Sequence, residues 1–343
     1  MATFTPKDIT IAVTVYDRRN YITQAIESAL GQRCPEQPQV IVLEDCGPDP
    51  TLRETVCAQF GSRINYLRNS RRRGLFDNWN ACIESCRTPW LCILHDDDLL
   101  EPTFVQSMMA LVRIAPNRGL YYGRCEIVDE TGRRIGESHA PDFFCAQELS
   151  LAEWAMYDPV CFPGHLFSVA SARGLGGFRA SSRYTGDWDL WFKLAVSCGS
   201  AATDRILAKY RQHHSIGRGT TKADVSGRKY AYVNVQRKRN VAYLRRLQPI
   251  FRFDRMTLQK QSSMSLRFIL CYGYNFSNWI FRYNARLLAL SHAPNITYRG
   301  FQILNQVLSW RSLRLVSQGL RLLRVRLKSP DASHSPAHRT VRT

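Results

Sequence analysis

Residues 9–115 alternate between short apolar runs and amphipathic helical patterns, and this order constrains the fold of the 343-residue chain more than any other feature. The four apolar runs are rich in β-branched residues and span 9–15, 40–45, 64–69 and 90–95. Continuous apolar strands separated by amphipathic helices are typical of a parallel sheet covered on both faces. The pattern therefore predicts an α/β fold with a parallel sheet.

The regular alternation ends near residue 115, and other elements follow. We expect a hairpin over 120–136, then a strand, a short helix and a glycine turn over 163–178. An amphipathic helix is predicted over 187–199 and a strand over 202–213. The predicted α/β body is thus residues 1–221, with its two halves at 1–115 and 116–221.

The positive charge of the chain is concentrated in its last third. Residues 222–343 hold 23 Lys and Arg against 3 Asp and Glu, whereas the first 221 residues hold 24 against 25. We expect a basic helical appendage over 222–328 and a disordered tail over 329–343. Its basic amphipathic helices favour an anionic membrane surface, and the alternative is a subdomain that packs on the body. Nucleic acid is not expected, because no recognition module accompanies the charge.

Several protein classes are disfavoured by what the sequence lacks. No run of 18 apolar residues and no signal-peptide core occurs, and the eleven cysteines form no C-x-x-C pair. We expect reduced thiols in a cytoplasmic protein. The absence of G-x-G-x-x-G and of a P-loop argues against a nicotinamide dehydrogenase and a P-loop enzyme.

Candidate ligand-binding groups stand where three of the first four predicted strands end. They are Tyr16-Asp17, Glu44-Asp45 and the run His95-Asp96-Asp97-Asp98. Ligands of open α/β sheets bind beyond the carboxyl ends of the strands. Three adjacent carboxylates repel one another, so a divalent cation such as Mg²⁺ or Mn²⁺ would explain them. A solvated acidic turn before the helix that starts at Pro102 is the alternative.

Five segments within residues 9–219 form a recognisable series. They read IAVTVYDRRNYITQAIESALGQ, VIVLEDCGPD, NSRRRGLFDNWNACIESCRTPWLCILHDDDLLEP, PGHLFSVASARGLGGFRASSRYTGDWDLWFKLA and KYRQHHSIG. Their order and spacing resemble glycosyltransferases of family 2. The resemblance implies the GT-A fold, whose Rossmann-like sheet binds nucleotide sugars, and an inverting transfer.

The resemblance also implies a donor site and a metal site. In the donor site, Tyr16 would stack on the base, and Asp45 would accept a hydrogen bond from a pyrimidine. The implied nucleotide-sugar site as a whole comprises Tyr16, Asp17, Asp45, Asn80, Asp96, Arg211 and His213. The implied metal ligands are Asp97, Asp96, Asp98 and His213, with His214 as an alternative to His213.

Two positions depart from the family pattern. His95 stands where the first Asp of the usual D-x-D motif is expected. The motif pair is therefore either His95 with Asp97 or Asp96 with Asp98. His95 would itself be a ligand or, more in keeping with its position, a packed or capping histidine. Arg211 and Arg218 would neutralise the departing diphosphate or be exposed arginines without a specific role.

On the acceptor side, Asp187 matches the family's catalytic base, which takes the proton of the attacking hydroxyl. The alternative for Asp187 is a helix N-cap, and both roles are compatible. Gly186 replaces the acid that precedes this base in the family. Asp189 is expected to be structural, and Trp188 and Trp191 are expected to pack rather than line a pocket.

The sequence is therefore interpreted as an inverting, metal-dependent glycosyltransferase that uses a nucleotide sugar, with UDP as the expected nucleotide. The expected acceptor is a glycan or a lipid-linked glycan in bacterial cell-surface polysaccharide or glycolipid synthesis, at the inner face of the plasma membrane. Absence of a Q-x-x-R-W motif predicts one sugar per encounter. The alternatives are a non-catalytic sugar-nucleotide-binding protein and a sugar nucleotidyltransferase, although the latter would need a glycine-rich loop near residue 16.

Overall fold

The structure is a computed structural model that describes residues 4–138, 149, 151–213 and 228–247. The chain divides into two units, Met1–Phe251 and Arg252–Thr343, and all described residues lie in the first. Most of the predicted basic appendage and the whole predicted tail lie outside the described residues. The boundary expected after residue 221 stays a prediction.

The first half of the fold is the predicted parallel sheet. Its strands are β1 (Ile9–Val15), β2 (Gln39–Glu44), β3 (Asn65–Arg68) and β4 (Trp90–His95), paired in parallel in the order β3-β2-β1-β4. The helices of this half are α1 (Arg19–Leu30), α2 (Leu52–Phe60), α3 (Leu75–Ser85) and α4 (Phe104–Ile114). Every residue of β1 is buried, which explains why its sequence is continuously apolar rather than alternating.

The second half extends the same sheet with mixed directions. Its strands are β5 (Leu99–Leu100), β6 (Leu120–Val128), β7 (Arg134–Glu137), β8 (His165–Ser168) and β9 (Ser200–Arg211). The strand β8 lies between β4 and β6 and is antiparallel to both, whereas β6 and β9 are parallel. The helices are α5 (Leu151–Met156), α6 (Val169–Gly174) and α7 (Gly186–Cys198). The predicted hairpin, glycine turn, helix and last strand are all present.

His165 joins β8 to β4 where their ladder ends. Main-chain pairing between the two strands covers only Trp90 with Ser168 and Leu91 with Phe167. Beyond it, Ile93 N donates to His165 Nε2 at 3.1 Å, and His165 Nδ1 donates to the carbonyl of Phe162. Burial lowers the pKa of His165 to about 3, so its ring is neutral, as these two hydrogen bonds require.

A last described helix, α8 (Arg228–Leu247), packs on the α/β body that precedes it in the chain. Gln236, Arg237, Asn240 and Leu244 are its buried residues. Arg237 Nε donates to the carbonyl of Met156 at 2.7 Å, which fixes α8 to α5. Among the described residues, no helix is long and apolar enough to cross a membrane.

Candidate active site

Asp96, Asp97 and Asp98 follow β4 directly, and all three are buried, with at most 7% of each residue exposed. Asp97 accepts from His213, whose Nε2 lies 2.8 Å from Asp97 Oδ2, and it forms an ion pair with Arg18 through the same oxygen. Arg18 Nη1 also lies 3.5 Å from Asp96 Oδ1. The structure thus brings together the predicted residues Asp96, Asp97 and His213, and it adds Arg18.

Asp98 is the most buried of the three carboxylates, with 1% of the residue exposed. Its Oδ1 accepts from the main-chain N–H of Arg211 at 2.9 Å, and Arg211 Nε donates to the carbonyl of Asp97 at 2.9 Å. The carboxyl ends of β4 and β9 are therefore linked through this carboxylate. His95 Nδ1 lies 3.5 Å from Asp98 Oδ2, which is long for a hydrogen bond.

The burial of these carboxylates shifts their pKa values in different directions. Burial and the neighbouring Asp97 charge raise the pKa of Asp96 to about 7, and burial likewise raises the pKa of Asp98. Burial acts in the same direction on Asp97, but the His213 hydrogen bond and the Arg18 charge outweigh it and lower the pKa. Negative charge is therefore concentrated on Asp97, the carboxylate that Arg18 and His213 both contact.

The donor atoms of this cluster fit a divalent cation. His95, Asp97 and Asp98 each offer one ligand atom, and these three atoms lie within 4.8 Å of one another. His95 Nε2 and Asp98 Oδ2 are buried and lack a hydrogen-bond partner within the described part of the chain. Carboxylate oxygens with an imidazole suit Mn²⁺ or Mg²⁺ better than a softer metal. A cation would also relieve the repulsion among the three carboxylates.

His95 is at the same time a packed side chain, as the sequence favoured. Its ring stacks on Phe162 with centroids 4.1 Å apart and on Trp79 at 5.4 Å. These rings belong to an aromatic cluster between α3 and α7 that also contains Phe178 and Trp191. Packing fixes the imidazole against Asp98, so the packed role and the ligand role are compatible.

At the end of β2, Asp45 organises the loop that leads into α3. Its Oδ1 accepts from Asn69 Nδ2 at 3.0 Å and from the N–H of Arg73 at 2.7 Å, and its Oδ2 accepts from the N–H of Gly74 at 2.8 Å. Asp45 thus caps the turn before α3. The predicted contact of Asp45 with a base stays a prediction.

Tyr16 lies beside Asp45, and its ring is covered by the chain itself. The guanidinium carbon of Arg72 is 4.1 Å from the centroid of the Tyr16 ring. If a base stacked between the Tyr16 ring and the Arg72 guanidinium, these two groups would have to lie about twice the usual stacking separation of ~3.5 Å apart. Arg72 must therefore move before a base can stack on that face of Tyr16. Burial lowers the pKa of Arg18, but the carboxylate charges of residues 96–98 and, less strongly, of the half-buried Asp17 outweigh it and raise the pKa above its ordinary value.

Two further predicted donor residues have structural partners. Asn80 Nδ2 donates to the carbonyl of Phe178 at 2.9 Å, and Asn80 Oδ1 accepts from Phe178 N at 2.8 Å. The guanidinium of Arg211 donates to the carbonyls of Asp129 and Glu130 at 3.2 and 3.1 Å. Their predicted contacts with a nucleotide sugar stay predictions. His214 and Arg218 lie outside the described residues.

Asp187 stands in the first turn of α7 and is half-buried. Its Oδ1 accepts from the N–H of Trp188 at 2.9 Å. The preceding residue, Gly186, has no room for a side chain, because a Cβ there would lie 2.2 Å from the ring of Phe76. Phe76 therefore fills the place of the acid that the family pattern has before the base.

The other residues of α7 pack, as expected from the sequence. Asp189 is buried and forms an ion pair with Lys193, at 2.5 Å between Oδ2 and Nζ. Trp188 Nε1 donates to the carbonyl of Trp154 at 3.0 Å, and Trp191 is fully buried. Asp189 is thus structural, and the two tryptophans contribute to the core.

Sequence reasoning missed Arg18 and Arg72, which face the two candidate subsites. The signal for Arg18 was its place directly after Tyr16-Asp17, at a strand end where ligands bind. Arg72 lies in a run of three arginines, but nothing in that run indicates which of them turns towards Tyr16. The contact depends on the loop that Asp45 shapes, and this is a long-range property.

The fold is of the GT-A type, with a mixed α/β sheet, and solved structures share it. The S. aureus TarS 1-349 structure with UDP has a TM-score of 0.60 and 14% identity, with 92% of this chain and 91% of that chain covered. The Pyrobaculum calidifontis mannosyltransferase PcManGT, in complex with GDP-Man and Mn²⁺, has a TM-score of 0.53 and 15% identity, with 94% and 87% covered.

Sequence comparisons assign the family. Residues 10–169 match the profile of glycosyl transferase family 2. An uncharacterized glycosyltransferase of Rickettsia felis is 25% identical over 211 residues, which are 61% of this chain and 35% of that protein. The chondroitin synthase of Escherichia coli is 23% identical over 189 residues, 54% and 26% of the two chains. The chain thus covers only about a third of the length of the first of these relatives. Residues 10–169 therefore match glycosyl transferase family 2, the family that the motifs predicted.

Proposed function

We propose that the protein transfers a sugar from a nucleotide sugar to a hydroxyl of a glycan or lipid-linked acceptor, with inversion at the anomeric carbon. The observation that carries this proposal is the buried Asp96–Asp98 cluster at the end of β4, closed by His213 from beyond β9. Buried carboxylates that converge with histidines at the carboxyl end of a parallel strand suit a metal-bound diphosphate better than a structural turn.

In this mechanism, Asp97, Asp98 and His95 would hold the cation, with His213 and Asp96 beside them. The cation would supply electrostatic stabilisation of the departing diphosphate. Asp187 would accept the proton of the acceptor hydroxyl as that oxygen attacks, so no second carboxylate nucleophile is required. Tyr16 and Asp45 would hold the base once Arg72 has moved, and Arg18 lies close enough to Asp97 to contact the diphosphate.

The expected donor is a UDP-sugar and the expected cation is Mn²⁺ or Mg²⁺. Support comes from the fold neighbours, of which one was solved with UDP-GlcNAc and another with GDP-Man and Mn²⁺. The names of two relatives, chondroitin synthase and the succinoglycan biosynthesis protein ExoO of Rhizobium meliloti, support an acceptor in polysaccharide synthesis. We place the protein in the cytoplasm at the inner membrane face, where its basic C-terminal region would meet anionic lipid.

The test is a panel of nucleotide sugars with Mn²⁺, read by binding and by release of the nucleoside diphosphate. The variants are Asp97→Ala, Asp187→Asn and the control Asp204→Asn, which removes an exposed carboxylate on β9. We expect one donor to bind with metal, Asp97→Ala to lose that binding, and Asp187→Asn to bind normally but release diphosphate at least ~100-fold more slowly.

Two results would contradict the proposal in different ways. If no nucleotide sugar binds with or without metal, the glycosyltransferase function fails as a whole. If a donor binds and Asp97→Ala abolishes binding, but wild-type protein never releases diphosphate with any acceptor, the protein is a non-catalytic sugar-nucleotide-binding protein. Asp204→Asn should match wild type throughout, and a loss there would show a nonspecific charge effect.

A further inference from the structure

Helix α8 places one fully buried polar side chain, Gln236, against the first turn of α7. Gln236 Nε2 donates to Asp189 Oδ1 at 2.9 Å and to Asn240 Oδ1 at 2.8 Å, so both amide hydrogens are used. On the other side, Gln236 Oε1 lies 3.5 Å from Thr185 Oγ1. Gln236 is completely inaccessible to solvent, and the residues that it contacts, Thr185 and Asp189, are also buried.

Two of the residues that Gln236 approaches lie on either side of the proposed catalytic base in the sequence. Thr185 precedes Gly186 and Asp187, and Asp189 follows them within the same helical turn. Thr185 Oγ1 also donates to the carbonyl of Ser182 at 2.9 Å, which connects the turn to the preceding 3₁₀ segment. The short segment that carries Asp187 is therefore held by the Gln236 amide at Asp189 and by the hydrogen bond between Thr185 and Ser182 at its other end.

A second contact restrains the same segment. The ring of Phe76 on α3 lies against the Cα of Gly186, so close that no Cβ would fit. Phe76 fixes the position of the backbone at Gly186, and Gln236 fixes Asp189, which lies two residues after Asp187. Since a glycine at the start of a helix leaves the backbone with more conformational freedom than another residue, this segment needs outside contacts to hold one conformation.

We propose that Gln236 is a positioning residue for Asp187, which it orients through Asp189. The proposal rests on the proposed function of Asp187 as the base. It extends the functional unit beyond Asp187 and His213 to a helix that follows the sheet. A displacement of about 1 Å in a reacting group lowers a rate by up to ~100-fold, so small shifts of this turn should be visible in kcat.

The alternative is that Gln236 only helps α8 to stay docked. The chain offers a matched control, because Leu244 is also buried on α8, with 1% exposed. Leu244→Ala removes packing from the same helix by creating a cavity, which lowers the free energy of unfolding. It leaves the amide of Gln236 in place.

The test variants are Gln236→Met, which keeps the volume and removes the hydrogen bonds, and Gln236→Asn, whose shorter amide cannot reach both partners. The second variant keeps the test informative if the first does not fold. We expect kcat for donor-to-acceptor transfer to fall at least about tenfold in both, with the donor KM within about twofold of wild type. Leu244→Ala should keep kcat within about twofold, measured at a temperature where it is folded.

Hydrogen–deuterium exchange of the peptide over residues 185–190 supplies a readout that does not need activity. We expect faster exchange there in the Gln236 variants than in Leu244→Ala. Unchanged kcat and unchanged exchange would overturn the positioning role, as would an equal loss of kcat in Leu244→Ala. If wild type transfers no sugar, the proposed function fails, and exchange alone decides whether Gln236 orders the turn that carries Asp187.

Discussion

The acid sensitivity of the fold should depend on His165, the buried ring between β4 and β8. Its pKa lies near 3 in the folded protein, because burial penalises the imidazolium, and its ordinary value is 6.5. The unfolded chain therefore binds a proton at a pH where the folded protein does not. Stability from this group is present above about pH 6.5 and is lost as the pH falls towards about 3.

The expected size follows from the two pKa values. Between about pH 7 and about pH 5, one such group lowers the free energy of unfolding by about 2 kcal/mol, since each unit of difference in pKa is worth ~1.4 kcal/mol. The result hardly depends on the folded pKa. Any value near 3 or 4 leaves His165 unprotonated in the folded protein at about pH 5.

The perturbation is His165→Gln, because a glutamine side chain also offers one acceptor and one donor but does not titrate. Its oxygen would accept from Ile93 N, and its amide N–H would donate to the carbonyl of Phe162, as the imidazole does. The assay is urea unfolding followed by tryptophan fluorescence, at about pH 7 and about pH 5, with midpoints converted through the m-value.

We expect acidification from about pH 7 to about pH 5 to change the stability of wild type by about 2 kcal/mol less favourably than that of the variant. Groups such as Asp96, whose raised pKa of about 7 adds stability on acidification, titrate equally in both proteins and cancel in the comparison. Equal changes in the two proteins would refute the reasoning. They would mean that His165 reaches solvent and binds its proton in the folded state.

Three further outcomes follow from other contacts. Gly47→Ala should destabilise the protein by about 3 kcal/mol or leave it insoluble, because the new Cβ would lie 1.9 Å from the carbonyl oxygen of Tyr16; urea unfolding measures this. Gly174→Ala, at the end of α6 where nothing lies within 4 Å of the new Cβ, should be neutral or stabilise by up to ~1 kcal/mol in the same assay. Arg18→Gln removes a guanidinium from Asp97 and should raise the affinity of nucleotide-free protein for Mn²⁺ about tenfold by calorimetric titration; weaker binding would contradict the competition.

The parallel half of the sheet was predictable because each strand carries its own signal. A strand buried on both faces is rich in apolar and β-branched residues, and β1 shows this pattern in its own sequence, with two threonines among five apolar residues. The strand β8 gives no such indication of its direction. It is antiparallel to both of its neighbours, β4 and β6. Both precede it by many residues in the chain, so its direction depends on contacts between distant residues.

The same distinction applies to the site. Asp97 and Asp45 were found as polar residues at strand ends, which is a local pattern. Arg72 over Tyr16 was not found, because it results from the loop that Asp45 holds by hydrogen bonds to the main chain. Gly186 was read only as a departure from the family pattern. The structure gives it a packing reason, since the Phe76 ring occupies the space of the missing side chain.

The candidate site crosses the limit of the family match. Residues up to 169 supply Asp45 and the carboxylates after β4, which are the parts that bind a donor in this proposal. His213, which contacts Asp97, and Asp187, the proposed base, both come later in the chain. In the proposed mechanism, the proton transfer therefore depends on a part of the chain that the family profile does not match. The family match supports sugar-nucleotide chemistry for residues 10–169, and the proposed role of Asp187 rests on α7 and on its contact with α8 through Gln236 and Asp189.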